Sequence, residues 1–321
     1  MTAPDASGQR TPRDDRAPTS ARVLVTGGSG FLGRPVVHAL IRAGHDVVTV
    51  GRAPAATPGR RHIVADLLDP GQARAAVRQA EATHLVHLAW HVDHHDFWTS
   101  PLNDAWADAS SELARLFLAA GGRQVVAAGS CAEYAPAGAA VLTEQSAVGP
   151  ATAYGQAKVE AHRRISEACG SAGAVCTWAR IFVPYGPGDH PQRLIPSLID
   201  VFRGRRPAFR VSPADVRDFI HADDVAGALV CLLQHGVGGA VNVSTGVPTT
   251  IAHVVECVAR ACGADPSALL PDAGTAEPSG PVDSAAWLVG QPATLTHLGW
   301  TPVISLEHGL YSEVQADRGS C

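Results

Sequence analysis

Residues 22 to 33 read RVLVTGGSGFLG: an apolar, β-branched run from Arg22 to Thr26 meets glycines at 27, 30 and 33, then passes into a helical pattern that reaches Ala43 and stops at Gly44. Strand, tight turn and helix follow from that order. Gly27 permits the turn, Gly30 lets backbone N–H groups approach a pyrophosphate, and Gly33 lets the helix pack on the strand. Phe31 and Leu32 complete a loop at a helix N-terminus, where negative charge is favoured. With both flanking elements in place, the stretch reads as the phosphate-binding turn of a dinucleotide site.

The alternation continues outward. Strand patterns lie at Asp46 to Val50, Arg61 to Ala65, His84 to Leu88 and Gln124 to Ala128, with one helix at 103–120 and another opened by Asp69 as N-cap and Pro70 in its first turn. This order predicts an α/β fold, a Rossmann-type doubly wound parallel sheet covered on both faces, with ligands at the carboxyl ends of the strands. After Val183 the pattern loosens. Pro and Gly cluster at 184–196 and 266–281, helices remain at Arg193 to Arg203, Ala222 to His235 and Thr250 to Cys262, and strand-like stretches at Arg217 to His221 and Ala240 to Val243 are expected to re-enter the main sheet. The expected division is a disordered tail at 1–21, a dinucleotide-binding domain at 22–183, a smaller mixed substrate lobe at 184–312 interleaved with the sheet edge, and a second tail at 313–321.

The chain has 321 residues and a net charge of −5, with scattered arginines, so a nucleic-acid partner is not expected. No apolar run approaches the roughly 20 residues that span a bilayer, and residues 1–21 lack the apolar stretch of a secretory signal. Seven irregularly spaced cysteines suit free thiols in a reducing cytoplasm. Cys257 and Cys262 stand too isolated to suggest a zinc site, and no metal is expected. Lys158 is the only lysine, so 24 of the 25 basic residues are arginine. A drift towards arginine accounts for the 24 and leaves Lys158 to be explained by its chemistry.

Tyr154 and Lys158 are four residues apart in a helical pattern from Thr152 to Ser171, so both project from one face. An ammonium beside a phenol favours the phenolate, and Lys158 is expected to pull the Tyr154 pKa down from about 10. Tyr154 would then pass a proton to or from a substrate oxygen that Ser130, just beyond a strand end, also holds. At the cofactor end, Gly51 and Arg52 follow the second strand, where an NAD site usually carries a carboxylate for the ribose hydroxyls. Removing that carboxylate removes repulsion against a 2′-phosphate, and Arg52 offers charge-assisted hydrogen bonds. NADP(H) is therefore the preferred cofactor, with NAD(H) possible. Asp66 is expected at the adenine amine and Leu67 on its ring, while Leu88 and Ala89 leave room for the cofactor.

These landmarks resemble the extended short-chain dehydrogenase/reductase family, particularly its nucleotide-sugar-modifying members. The glycine loop, Asp66-Leu67, His87-Leu88-Ala89, Ser130, and Tyr154 with Lys158 stand in that family's order. Arg180 to Pro187, reading RIFVPYGP, is similar to its nicotinamide and substrate segment, so Val183 is implied to line the substrate. Arg217 to His221, reading RDFIH, then Asp223-Asp224-Val225, matches an element whose arginine typically contacts a substrate diphosphate. Leu298 to Pro302 and Leu306 to Leu310 resemble its C-terminal signature, and the likeness covers about residues 21 to 312. A homodimer built near the Tyr154 helix is the family expectation.

Departures narrow the implied reaction. Where the family's 4,6-dehydratases carry an Asp-Glu pair after the Ser/Thr, this chain has Cys131 and Ala132, with Cys131 on the substrate side. Neither supplies that acid/base pair. Val183-Pro184-Tyr185 lacks the usual preceding Asn, and a late Arg-Pro-Gly-Asp element is reduced to Glu277-Pro278-Ser279-Gly280, so one anionic contact is either missing or supplied elsewhere, with Arg193 and Arg210 as the candidates. The segment from Trp90 to Trp98, WHVDHHDFW, follows the fourth strand; Trp90 and His91 are expected as a polar, aromatic substrate wall rather than His91 and His95 as metal ligands. The resemblance implies an NADPH-dependent ketoreductase of a nucleoside-diphosphate 4-keto-6-deoxysugar. The alternatives are an NAD-dependent nucleotide-sugar 4-epimerase and a non-catalytic NADP-binding protein.

Overall fold

The computed structural model describes residues 20–54, 61–138, 140–270 and 286–318. Its first part runs β1 (Arg22–Thr26), α1 (Gly33–Arg42), β2 (Asp46–Gly51), β3 (Arg61–Val64), α2 (Pro70–Ala80), β4 (His84–His87), α3 (Leu102–Ala119), β5 (Gln124–Ser130), α4 (Ala153–Ala172) and β6 (Val175–Ile181). Then come β7 (Val183–Tyr185), α5 (Leu194–Phe202), β8 (Val216–Arg217), β9 (Phe219–His221), α6 (Ala222–His235), β10 (Gly239–Val243), β11 (Thr249–Thr250), α7 (Ile251–Cys262), β12 (Trp287–Leu288), α8 (Ala293–His297) and α9 (Leu306–Arg318).

Among the described residues, seven parallel strands form the main sheet in the order β10-β6-β5-β4-β1-β2-β3. Alternate side chains of each strand enter opposite cores, which is why the strands read as continuous apolar runs. Leu24, Val48, Leu85 and Val125 point to the core beneath α2, α3 and α4. Val23, Val25, Val86 and Val126 point to the core beneath α1 and α6. The strand order reverses between β1 and β4, so the ends of β1, β4 and β5 open side by side onto one crevice. The expected Rossmann-type sheet is the observed one.

Four local expectations change. The strand β6 carries Trp178 and Arg180 on buried positions and was not among the strands expected from the sequence. Arg217 to His221 does not re-enter the main sheet, as Ala240 to Val243 does. It divides at Asp218 into β8 and β9, members of two small sheets. The buried Asp218 carboxylate forces the break, because it accepts the backbone N–H groups of Thr245, Gly246 and Gly290. The helix α1 begins at Gly33 rather than Gly30, since residues 27–32 are held as a turn by Gly30 N–H donating to Gly27 O at 3.0 Å. Finally, 313–318 is not a tail: α9 runs to Arg318 and buries Val314 in one apolar cluster with Leu198 and Val254, placing it in the C-terminal lobe. Residues 1–19, 277–280 and 319–321 lie outside the described residues.

Candidate active site

The glycine turn is fixed by contacts that no side chain would fit. Gly27 has φ +68°, and a Cβ on Gly33 would come within 2.0 Å of the Gly27 carbonyl oxygen. The first helical residues are therefore pressed against the end of β1. Leu32, the N-cap of α1, gives no side-chain cap, and among the described residues neither Phe31 N–H nor Leu32 N–H meets an acceptor. A helix start with free donors and no side chains in the way fits a dinucleotide pyrophosphate. Opposite it, Thr26 Oγ1 accepts the N–H groups of Leu88 and Ala89, both at 3.1 Å, and pairs with His87 Nδ1 at 2.7 Å. His87 Nε2 reaches Ser110 Oγ, and burial holds this imidazole neutral, its pKa pushed down to about 3.

At the nucleoside end, Arg52 is exposed, and no carboxylate pairs with it among the described residues. The Asp66 carboxylate accepts Leu68 N–H at 3.0 Å, and Leu67 is buried in the first core. Arg52, Asp66 and Leu67 thus follow the ends of β2 and β3, on the same side as the glycine turn.

The chemical end is built by α4 and the end of β5. The Thr152 side chain caps α4 by accepting Gly155 N–H at 3.1 Å, which puts Tyr154 in the first turn and Lys158 one turn later. A Cβ on Gly155 would meet Ala132 O at 2.5 Å, so this helix lies directly against the turn after Ser130. That turn is locked by a capping box: Ser130 Oγ accepts Ala132 N–H, and Ser130 N–H donates to Glu133 Oε1 at 2.7 Å. Glu133 is fully buried, and it also accepts Trp178 Nε1–H at 2.8 Å and Arg180 Nε–H at 2.9 Å. Glu133 is the site residue that the sequence reading missed, although the Ser-x-x-Glu spacing was its signal.

Tyr154 is ringed by the segment after β4. Trp90, Phe97 and Trp98 meet its ring edge-on at centroid distances of 6.3, 5.4 and 5.6 Å. That segment is a run of turns rather than a helix, so i, i+4 spacing does not put His91 and His95 on one face. His91 instead pairs with Asp96 at 2.7 Å, and His94 stacks on His190 across the cleft. Lys158, 4% exposed, donates to Ala128 O at 2.8 Å and lies 3.7 Å from the centroid of Trp90.

The electrostatics correct one expectation. Lys158 Nζ is 5.8 Å from the Tyr154 ring centroid, and it is turned towards Trp90 and Ala128. Burial dominates at Tyr154 and raises its pKa, with the Ser130 hydroxyl and the Arg193 charge opposing the rise. The phenol is therefore held neutral in the protein alone. Burial likewise lowers Lys158 to about 7, against the support of Glu133. Since an unfolded lysine titrates near about 10.4, the unfolded chain holds a proton between those pH values that the folded chain has shed, and this group makes stability rise with pH there. Urea unfolding of cofactor-free protein from pH 7 to 9.5 should show this contribution, on the order of a few kcal/mol, as the difference between wild type and Lys158→Met. Parallel pH profiles for the two proteins would show that Lys158 stays charged in the fold.

The substrate-side residues converge less completely. Cys131 is buried against Phe182 and Leu142, its thiol pushed up to about 12 by burial, and it feels the Arg217 charge. Val183 lies in β7 opposite Phe219. Arg193 pairs with Asp189 at 3.2 Å and lies 5.9 Å from the Phe31 ring, reaching towards the glycine turn. Arg217 is committed to Val216 O, Ala286 O and the Asp215 carboxylate, and Arg210 is exposed. Cys257, isolated in the sequence, is not isolated in space: His253 and Glu307 stand beside it.

A dinucleotide turn, a Ser-Tyr-Lys cluster and a parallel sheet are thus on one crevice. The model of the NAD dependent epimerase/dehydratase family matches residues 23–244. The chain belongs to that family. It is an enzyme of the extended short-chain dehydrogenase/reductase type, with a nicotinamide dinucleotide as cofactor. Among its relatives, a 3-diazoavenalumate denitrifying reductase from a Streptomyces species is 30% identical over 269 residues, covering 78% of this chain and 85% of that one. A UDP-glucose 4-epimerase from Azospirillum brasilense is 27% identical, covering 90% and 89%. The solved structure of MoeE5 in complex with UDP-glucuronic acid and NAD has a TM-score of 0.79 and 27% identity, covering 93% of this family member and 99% of that chain. Among the described residues, no helix of the enzyme is long and apolar enough to cross a membrane.

Proposed function

We propose that this enzyme is an NADPH-dependent ketoreductase that reduces the keto group of a nucleoside-diphosphate 4-keto-6-deoxysugar. The observation that carries the reading is the proton inventory of the crevice. Tyr154 is kept protonated by burial, Ser130 lies beside it, and no carboxylate faces them from positions 131 and 132. Glu133 does not substitute, because its two oxygens are spent on Ser130, Trp178 and Arg180. A site with one acid and no base suits net addition of a hydride and a proton to a carbonyl, not elimination of water. The bound reduced nicotinamide supplies the hydride. Ser130 holds the carbonyl oxygen, Tyr154 O–H donates the proton to it, and the phenolate left behind draws a proton onto Lys158 on the same helix face, whose ammonium form stabilises it. Among the described residues, Arg193 is the cation that reaches from the substrate lobe towards the glycine turn, and it is assigned to the substrate's negative charge.

The NADPH preference rests on Arg52. Replacing Arg52 by Ala should raise the KM for NADPH by about tenfold or more, as expected for a lost charge-assisted hydrogen bond, and leave the KM for NADH nearly unchanged. An unaltered NADPH to NADH ratio would remove Arg52 from the cofactor site.

The reading as a whole is tested by NADPH oxidation against a panel of nucleoside-diphosphate 4-keto-6-deoxyhexoses. A 4-epimerase would carry retained NAD through purification, interconvert 4-hydroxyl epimers and consume no NADPH. A second reading, reduction of a compact aromatic carbonyl without a diphosphate, is favoured by the aromatic edges around Tyr154 and by the internal commitments of Arg217. Aromatic ketones and aldehydes in the same panel separate the two.

A further inference from the structure

We propose that His253, Cys257 and Glu307, none of them among the residues of the catalytic crevice, form a site for a zinc-class divalent cation that ties helix α9 to α7. His253 and Cys257 stand at i and i+4 on α7, and Glu307 enters from the first turn of α9. His253 Nε2 lies 3.5 Å from Cys257 Sγ and 3.3 Å from Glu307 Oε1, and all three ligand atoms fall within 4.8 Å of one another. Bond lengths to zinc of about 2.0–2.3 Å in a tetrahedral arrangement give ligand-to-ligand edges of roughly 3.3–3.6 Å, the spacing found at both His253 contacts.

Hydrogen bonding alone accounts for this cluster poorly. A single imidazole nitrogen is the shared partner of a thiol and a carboxylate, yet it carries at most one hydrogen. The 3.3 Å contact to Glu307 also exceeds the roughly 2.7–2.9 Å of a charge-assisted N–H···O bond. Three ligands around a common centre explain both features. The thiolate and carboxylate together neutralise a divalent charge, and the sulfur and imidazole favour zinc over magnesium or calcium. Cys257 is buried and forms the floor, while His253 and Glu307, 42% and 57% exposed, leave an entry and a fourth position for water. The consequence reaches the substrate lobe, because α9 seats Gly309 against the Tyr185 hydroxyl, at the end of the strand that begins with Val183.

Titration of the metal-free full chain with cobalt(II) is expected to give tetrahedral visible bands and a near-ultraviolet thiolate band at one equivalent, competed away by zinc. Cys257→Ser should remove the thiolate band, and Cys231→Ser, a thiol elsewhere, should keep it. Losing a ligand costs at least as much as losing an outer partner, so His253→Gln and Glu307→Gln, both at partly exposed positions, should weaken binding about 10- to 100-fold. Zinc should raise the melting temperature of wild type and raise that of the His253 variant by less at the same concentration. A thiolate band absent at one equivalent, or a spectrum and affinity unchanged in His253→Gln and Glu307→Gln, would overturn the site, the latter by assigning binding to other cysteines.

Discussion

Tyr154→Phe should lower kcat by about 10²- to 10⁴-fold, the usual worth of a positioned general acid, while NADPH binding followed by fluorescence titration stays at the wild-type level. The substitution is unusually clean. Trp90, Phe97 and Trp98 pack edge-on against the ring, and the ring is retained, so the wall around the site keeps its contacts. Only the O–H is lost, and with it the proton that burial holds on the phenol at neutral pH. Ser130 remains to hold the carbonyl oxygen, and Lys158 keeps its bond to Ala128 O, which does not depend on Tyr154. The loss therefore falls on kcat rather than on KM, as expected for an interaction used only as charge develops on the substrate oxygen. A variant with more than a tenth of wild-type kcat would show that another group supplies the proton.

The parts legible in the sequence are those set by local periodicity. The turn at Gly27, the Asp69 cap with Pro70 behind it, and the shared face of Tyr154 and Lys158 follow from neighbours within a few positions, and the structure has them all. The lone lysine among arginines was also a usable signal: an arginine there would carry a charge it cannot shed into a position only 4% exposed. The direction of the Tyr154 shift was not legible, because spacing reports that an ammonium is near and says nothing of how much water is excluded. The strand β6 escaped for a related reason. Arg180 interrupts its apolar run, and an arginine reads as surface until its partner is known. That partner, Glu133, is 47 positions away and reads by itself as a helix cap. Glu307 is likewise remote from Cys257 in the chain. Pairings across such distances belong to the tertiary fold.

The Glu133 carboxylate is where fold and site meet, and its removal should be the most damaging single change outside the reacting groups. Glu133 is 0% and Arg180 5% exposed, so Glu133→Ala leaves a guanidinium in the core without this counter-charge, with the Tyr134 side chain, its ring at 4.6 Å, and a 3.5 Å contact to Glu144 O remaining among the described residues. It also strips the acceptor from Trp178 Nε1–H and Ser130 N–H. Breaking one partner of a buried pair costs about 3–5 kcal/mol, a large part of the roughly 5–15 kcal/mol by which domains are stable. Glu133→Gln helps little, since its amide would meet Arg180 Nε–H donor to donor. Replacing both residues, Glu133→Ala with Arg180→Met, removes the stranded charge. The double variant should therefore be less destabilised than the two single changes added together, by about 2 kcal/mol or more. Urea unfolding of the four proteins measures that coupling. Strict additivity would mean that Arg180 finds water or another carboxylate when Glu133 is gone, and that the floor beneath Ser130 is held by packing rather than by charge.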